Sequence, residues 1–183
     1  MTDYHRHDAW ACESVVPLIP MLADFTAPNG GAAFTMAQLG DQWQRTLDRE
    51  RKIDLVGRDL ERRLYGISLR VQAGYYYPTL TWRESEYRAI IDNGGRAFTV
   101  CATQLREMVG PQYYLHVYVH DGDPPTMIDA TCMGVETVAD ALECVTEPEY
   151  SGQILNTQDG NAFRWISRAG LDAHGLRYDY VRG

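Results

Sequence analysis

The chain has 183 residues and a formal net charge of −8, from 17 basic and 25 acidic residues. Its 45% content of hydrophobic residues is enough to bury a core, which excludes an intrinsically disordered chain. No run of about 18 apolar residues occurs, and the N-terminal residues lack the pattern of a secretion signal. We therefore expect a cytoplasmic protein that makes no contact with a membrane.

The N-terminal half is predicted to be helical before it changes to a strand. Apolar residues recur three or four positions apart through residues 36–47 and again through 53–64, which is the spacing of amphipathic helices. This pattern predicts two helices, or one long broken helix, over residues 35–65. Gly66 stands where a helix commonly ends, and the alternating apolar residues that follow predict a strand over 67–73.

The C-terminal half alternates strands with helices. The predicted elements are strand 97–101, helix 103–109, strands 113–120 and 126–132, helix 135–146, and strands 152–157 and 162–167. Through residue 157 their order is β-α-β-β-α-β, the ferredoxin-like pattern, and the last two strands form a hairpin. The sequence thus predicts a single α+β domain over 1–183, in which an N-terminal helical part packs on an antiparallel sheet. The best boundary for a subdivision separates residues 1–94 from 95–183.

Helix 135–146 carries the clearest signal of an interaction surface. One side is apolar, and the other carries four carboxylates at spacings of four, three and four residues: Glu136, Asp140, Glu143 and Glu147. Like charges at these spacings destabilise a helix by a few tenths of a kcal/mol per pair, and no basic residue is interleaved with them. Such a row could imitate the phosphates of a nucleic acid and meet a basic partner. The alternative is a solvated face that keeps the protein soluble.

Tyrosines form the second part of the predicted partner-binding surface. The chain has 12 tyrosines, and this residue is enriched at protein interfaces. In strand 113–120, Tyr114 and Tyr118 share one face with His116, because alternate side chains of a strand point the same way. We expect this face to be the exposed polar side of an antiparallel sheet. Tyr76, from a run of three tyrosines, is assigned to the same surface.

Two alternative functions stay open. A metal-dependent or acid–base enzyme would be centred on His116, His120, Asp121 and Asp123, although their spacing matches no strong zinc pattern. A nucleic-acid-binding helix would span the Arg-rich residues 49–63. Its interleaved acidic residues and the net negative charge make direct binding to nucleic acid the weaker alternative.

The favoured function is a non-enzymatic protein-binding module. The sequence contains no strong catalytic signature and indicates no cofactor. The cysteines have no paired spacing, so they predict neither disulfides nor a zinc site. They are Cys12, Cys101, Cys132 and Cys144. A small acidic protein of this kind fits an inhibitor or immunity-type protein of a prokaryotic mobile element, such as a phage or plasmid. The expected partner is another protein whose basic surface binds nucleic acid.

Overall fold

Two β-sheets and three helical segments make up the part of the chain that the structure describes. The computed structural model describes residues 32–35, 39, 43–58, 63–73, 78–83, 110–120, 126–155 and 162–183. Its strands are β1 (Ala32–Thr35), β2 (Leu55–Arg58), β3 (Leu64–Ala73), β4 (Thr79–Arg83), β5 (Tyr113–His120), β6 (Thr126–Gly134), β7 (Ser151–Leu155), β8 (Ala162–Ser167) and β9 (Asp179–Arg182). The helical segments are a π-helix (Gln44–Glu50), α1 (Val135–Cys144) and α2 (Arg168–Ala173). None of these described helices is long and apolar enough to span a bilayer.

The larger sheet has six strands in the order β1-β2-β3-β5-β6-β9. Its neighbouring strands are antiparallel except for β3 and β5, which are parallel. The smaller sheet has the order β4-β8-β7 and is antiparallel throughout. In the larger sheet, Arg70 of β3 pairs with His116 of β5, which pairs in turn with Thr131 of β6. These three strands therefore place polar side chains next to each other on one face.

The two faces of the larger sheet bury different side chains. One face contributes a cluster of mostly apolar residues: Leu55, Tyr65, Ile67, Leu115, Val117, Val119, Ala130 and Cys132. The opposite face carries polar side chains at its centre, among them Arg70, His116 and Thr131, and the hydroxyl groups of Thr79 and Thr81 from the smaller sheet approach it. A second apolar cluster joins α1 to the two sheets: Leu80, Trp82, Tyr114, Met133, Val135, Val138, Ala141, Val145, Ile166 and Leu171. The larger sheet is thus buried on both sides.

The predicted helix over the second half of 35–65 is wrong. The helical segment is confined to Gln44–Glu50, and β2 begins at Leu55. Leu55 and Val56 belong to two different apolar clusters, so both faces of β2 are buried. A strand that is buried on both faces loses its alternating pattern and can imitate helical spacing. Gly57 also fits the strand, because a Cβ atom at this position would collide with the ring of Tyr65.

The mixed helix and strand content is confirmed, but the ferredoxin-like order is not. Strand β5 begins and ends where the sequence predicts, and β7 and β8 form the predicted hairpin. In a ferredoxin-like fold the strand after α1 would join the sheet of β5 and β6, whereas β7 belongs to the other sheet. The predicted elements 97–101 and 103–109 lie outside the described residues.

Candidate functional site

Helix α1 presents three carboxylates on one exposed side. Its buried side consists of Val135, Val138 and Ala141, which pack in the core between the sheets. The other side carries Glu136, Asp140 and Glu143, all exposed. At 1.5 Å per residue these three carboxylates extend over about 10 Å along the helix axis. The predicted amphipathic helix is therefore present, with its acidic side open to solvent.

These charges contribute little to the stability of the helix that carries them. Glu136 lies in the first turn, where the helix dipole favours a carboxylate, but Glu143 lies at the opposite end, where the dipole favours a cation. Asp140 is within three or four positions of both and is repelled by both. Across the described ranges, none of the three carboxylates forms an ion pair. The stability of the helix therefore does not explain why these three carboxylates share one side, and that side faces solvent or a partner.

Glu147 does not continue the row of carboxylates as predicted. The helix ends at Cys144, and Glu147 lies in the turn before β7. Its carboxylate oxygens lie 3.1 Å from His174 Nε2. The pKa of Glu147 is lowered, chiefly by a hydrogen bond with its own backbone amide and further by His174. This carboxylate therefore ties the turn to the segment after α2, and the acidic side of α1 comprises three residues.

An apolar groove adjoins the C-terminal end of α1. The groove has a volume of about 260 Å³, and its lining includes Leu142, Val145 and Trp165. Strand β7, which follows the turn after α1, pairs only with β8 among the described strands. Its Ile154 and Leu155 are 54% and 64% exposed. An exposed strand edge with large apolar side chains is typical of a surface that associates with another chain.

The predicted tyrosine surface is buried, so the expectation of an exposed face is wrong. Tyr114 is 9% exposed and Tyr118 is 2% exposed. The hydroxyl group of Tyr118 donates a hydrogen bond to the carbonyl oxygen of Thr79, at 3.2 Å. The face is covered because the smaller sheet packs on it, which an alternating pattern within one strand does not reveal. Tyr76 lies outside the described residues.

A network of polar side chains occupies this covered face, with Asp129 and Thr131 buried at its centre. Asp129 of β6 accepts a hydrogen bond from Arg168 Nη1 at 2.8 Å and another from the Tyr180 hydroxyl at 3.3 Å. Arg168 Nη1 also approaches the Thr131 hydroxyl at 3.4 Å, and its guanidinium lies 4.2 Å from the ring centroid of Tyr180. Buried polar groups of this kind require mutual hydrogen bonds, because water cannot solvate them. The network fixes α2 against the larger sheet.

His116 stands at the centre of the same face and is neutral. Its imidazole is 5% exposed, and Nε2 lies 3.4 Å from the Thr81 hydroxyl. Burial, together with the positive charges of Arg70 and Arg168, lowers the pKa of His116 to about 3. At neutral pH only about one imidazole in ten thousand would then be protonated. Such a group exchanges protons poorly near neutral pH, which weighs against the predicted acid–base role.

The structure describes only part of the predicted His/Asp site, and it contradicts the helix of the predicted nucleic-acid site. His120 is exposed at the end of β5, away from the buried His116, and Asp121 and Asp123 lie outside the described residues. Within the described ranges, no group of three or more His, Cys, Asp or Glu residues could hold a metal ion. The metal site therefore stays a prediction. The prediction of an Arg-rich helix over 49–63 is wrong, because the helical segment ends at Glu50 and β2 occupies Leu55–Arg58.

Comparisons with known proteins identify no relatives. The chain matches no protein-family model, no curated protein and no solved structure.

Several residues of the buried network have no distinctive sequence signal. Arg168 and Asp129 are 39 positions apart, and nothing local connects them. A weak signal exists in β6, where Asp129 and Thr131 alternate with Ala130 and Cys132. This alternation indicates a polar face, but only the packing of the smaller sheet shows that the face is buried.

Proposed function

We propose that this protein binds another protein, and that the acidic side of α1 docks on a basic surface of that partner. The observation that supports this most directly is the exposed row of Glu136, Asp140 and Glu143 on a helix whose opposite side is anchored in the core. A buried anchor keeps the carboxylates in a fixed arrangement. Fixed charges lose less entropy on binding than charges on a mobile loop, which favours recognition.

The apolar features near α1 supply the second component that an interface needs. Protein interfaces combine an apolar centre with a polar rim. The groove at the end of α1 and the exposed Ile154 and Leu155 on β7 provide apolar area on the elements that follow the acidic helix. The proposed interface therefore consists of the acidic side of α1, the groove and the outer edge of β7. It no longer includes Tyr114 or Tyr118, whose rings are buried.

The density of negative charge on α1 supports a partner that also binds nucleic acid. Its carboxylates occur about every 5 Å along the helix axis at 1.5 Å per residue, compared with one phosphate per about 3.4 Å of a nucleic-acid strand. A basic protein surface that binds phosphates would attract this row over a similar distance. Within this proposal, the protein acts as an inhibitor or immunity-type protein, encoded by a prokaryotic mobile element, that blocks such a surface.

The test compares three forms of the protein in parallel affinity captures from a lysate of its native host. The test variant combines E136Q, D140N and E143Q and removes the acidic side of α1. The control variant combines E50Q and D172N, which removes two exposed carboxylates outside the proposed interface. We expect a partner that the wild type and the control capture and the test variant does not. Because exposed charges contribute about 0.2–1 kcal/mol each, the loss of three should make the purified partner bind the test variant about 3- to 150-fold more weakly at low salt.

The salt dependence separates this proposal from a nonspecific effect. Affinity of the wild type should fall as ionic strength rises, because the Debye length shrinks to about 8 Å at physiological salt, and the test variant should show a weaker dependence. If the partner binds the test variant and the wild type equally at low salt, the acidic side of α1 is not the docking surface. A second triple variant in which Ile154, Leu155 and Gln153 become serine measures the contribution of β7.

A further inference from the structure

A cavity of about 300 Å³ lies between the larger sheet and β4. Arg70 and His116 line it from the larger sheet, and Thr81 and Trp82 line it from β4. The exposed side chains of Arg49, in the last turn of the π-helix, and of Lys52, just after it, stand at the edge of the cavity. This volume is at the lower end of the range for sites that bind small molecules, about 300–1,000 Å³. Helix α1 contributes no residue to the lining, so the cavity is separate from the proposed docking surface.

Positive charge predominates in the lining of the cavity. The lining has three cationic side chains, Arg49, Lys52 and Arg70, and two carboxylates, Asp48 and Asp54. The carboxylate of Asp54 is already engaged: its Oδ2 accepts hydrogen bonds from the Leu69 amide at 2.6 Å and the Ser68 hydroxyl at 3.3 Å. The cationic side chains of the lining therefore outnumber its carboxylates, one of which already accepts two hydrogen bonds. This balance favours an anion.

The edge of the cavity has an unusual backbone conformation. Lys52 has a φ of 59°, and among the described residues it is the only one other than glycine with a positive φ. Its Nζ donates a hydrogen bond to the backbone carbonyl oxygen of Arg49 at 2.9 Å, which holds the Lys52 side chain against the end of the π-helix. Residues other than glycine rarely adopt this conformation unless the surrounding structure imposes it.

The opposite part of the lining is apolar and aromatic. The rings of Trp82 and Tyr114 meet edge to face with centroids 6.4 Å apart, and Leu80 lines the cavity beside them. Aromatic walls bind flat apolar groups through contact area and ring stacking. The cavity therefore offers a cationic part and an apolar part to the same ligand.

We propose that this cavity binds a small organic anion, a carboxylate or phosphate ester with an apolar body. The guanidinium of Arg70 binds the anionic group inside the cavity, and Lys52 and Arg49 attract it at the opening. Trp82 and Tyr114 contact the apolar body. His116, which is neutral chiefly because it is buried, contributes an imidazole that can donate a hydrogen bond, and the neighbouring positive charge of Arg70 favours the anion.

The test uses matched pairs of ligands that differ in charge. The pairs are benzoate with benzamide, indole-3-acetate with indole-3-acetamide, and phenyl phosphate with phenol. Binding is followed on the full chain by shifts of backbone amide signals in two-dimensional NMR. We expect the anions to shift signals of β4 and β5 with a Kd of about 1 mM or tighter, and the neutral members to bind at least about tenfold more weakly. If only phenyl phosphate binds, the natural ligand is a phosphate ester. If only the two carboxylates bind, the natural ligand is a carboxylate.

Variants locate the anion within the cavity. R70Q should weaken anion binding by about tenfold to a hundredfold, as expected for the loss of a charged hydrogen bond. K52Q changes an exposed residue at the edge of the cavity and should weaken binding by a few-fold. R182Q alters an exposed arginine of β9 outside the cavity and should have no effect. The proposal is overturned if no anion shifts the signals of β4 and β5, if neutral and anionic members bind equally, or if K52Q and R70Q bind as tightly as R182Q.

Discussion

Replacement of His116 by glutamine tests whether the polar face is as deeply buried as the structure shows. In the folded protein the pKa of His116 is lowered from 6.5 to about 3, by burial first and by Arg70 and Arg168 in addition. The unfolded chain therefore binds a proton at this residue between pH 6.5 and pH 3, and the folded chain does not. Protonation favours the unfolded state, so this contribution to stability is complete above pH 6.5 and is lost as the pH falls.

The size of the effect follows from the two pKa values. Each pH unit in this window changes the free energy of unfolding by about 1.4 kcal/mol. At pH 4.5, two units below the unfolded value of 6.5, the loss amounts to about 2.7 kcal/mol. This is a large share of the 5–15 kcal/mol that typically stabilises a domain. The H116Q variant lacks the ionisable group and should not lose this amount.

The measurement is urea-induced unfolding of the wild type and H116Q between pH 7.5 and pH 4.5, followed by circular dichroism. Carboxylates titrate in both proteins, so the difference between the two stability curves isolates the imidazole. H116Q loses the contact with Thr81 at every pH and should start lower, by about 1–2 kcal/mol. The two curves should then converge, or cross, as the pH falls to 4.5. H120Q, at the exposed end of β5, serves as the matched control.

Parallel curves for the wild type and H116Q over this range would refute the reasoning. They would mean that His116 takes up a proton in the folded protein about as readily as in the unfolded chain, and hence that water reaches it. Direct NMR observation of the imidazole nitrogens gives an independent reading. We expect the His116 ring to stay neutral down to about pH 4, in keeping with its lowered pKa.

Two further predictions concern buried groups of the larger sheet. R168A removes the guanidinium that lies 2.8 Å from Asp129. We expect the free energy of unfolding in urea to fall by about 3–5 kcal/mol, with partial recovery in the R168A/D129N double variant. Strictly additive losses in the two single variants and the double variant would contradict a direct interaction. Burial, with a contribution from Asp179, raises the pKa of the Cys132 thiol, whereas Cys144 is exposed. Iodoacetamide should therefore alkylate Cys144 in the folded protein and reach Cys132 only after unfolding, as measured by peptide mass spectrometry, and comparable rates would contradict the burial of β6.

The elements that sequence reasoning predicted well are those whose pattern is local. Strand β5 shows an alternation of period two and α1 an apolar side at helical spacing, and both are found at the predicted starting residues. The hairpin of β7 and β8 is adjacent in sequence and was also predicted. The failure at β2 has the opposite cause. Its two faces are buried by different partners, so its apolar residues follow no single period.

By itself, the sequence determined which segments alternate, which segment is an amphipathic helix, and that the carboxylates of α1 share a side. Only the tertiary structure decided that Tyr114, Tyr118 and His116 are interior residues, because the smaller sheet that covers them is assembled from β4, β7 and β8. The parallel pairing of β3 with β5 likewise joins residues that are 46 positions apart in the chain. Such contacts depend on which surfaces meet in three dimensions, and the local periodicity of a strand or helix does not identify the element that packs against it.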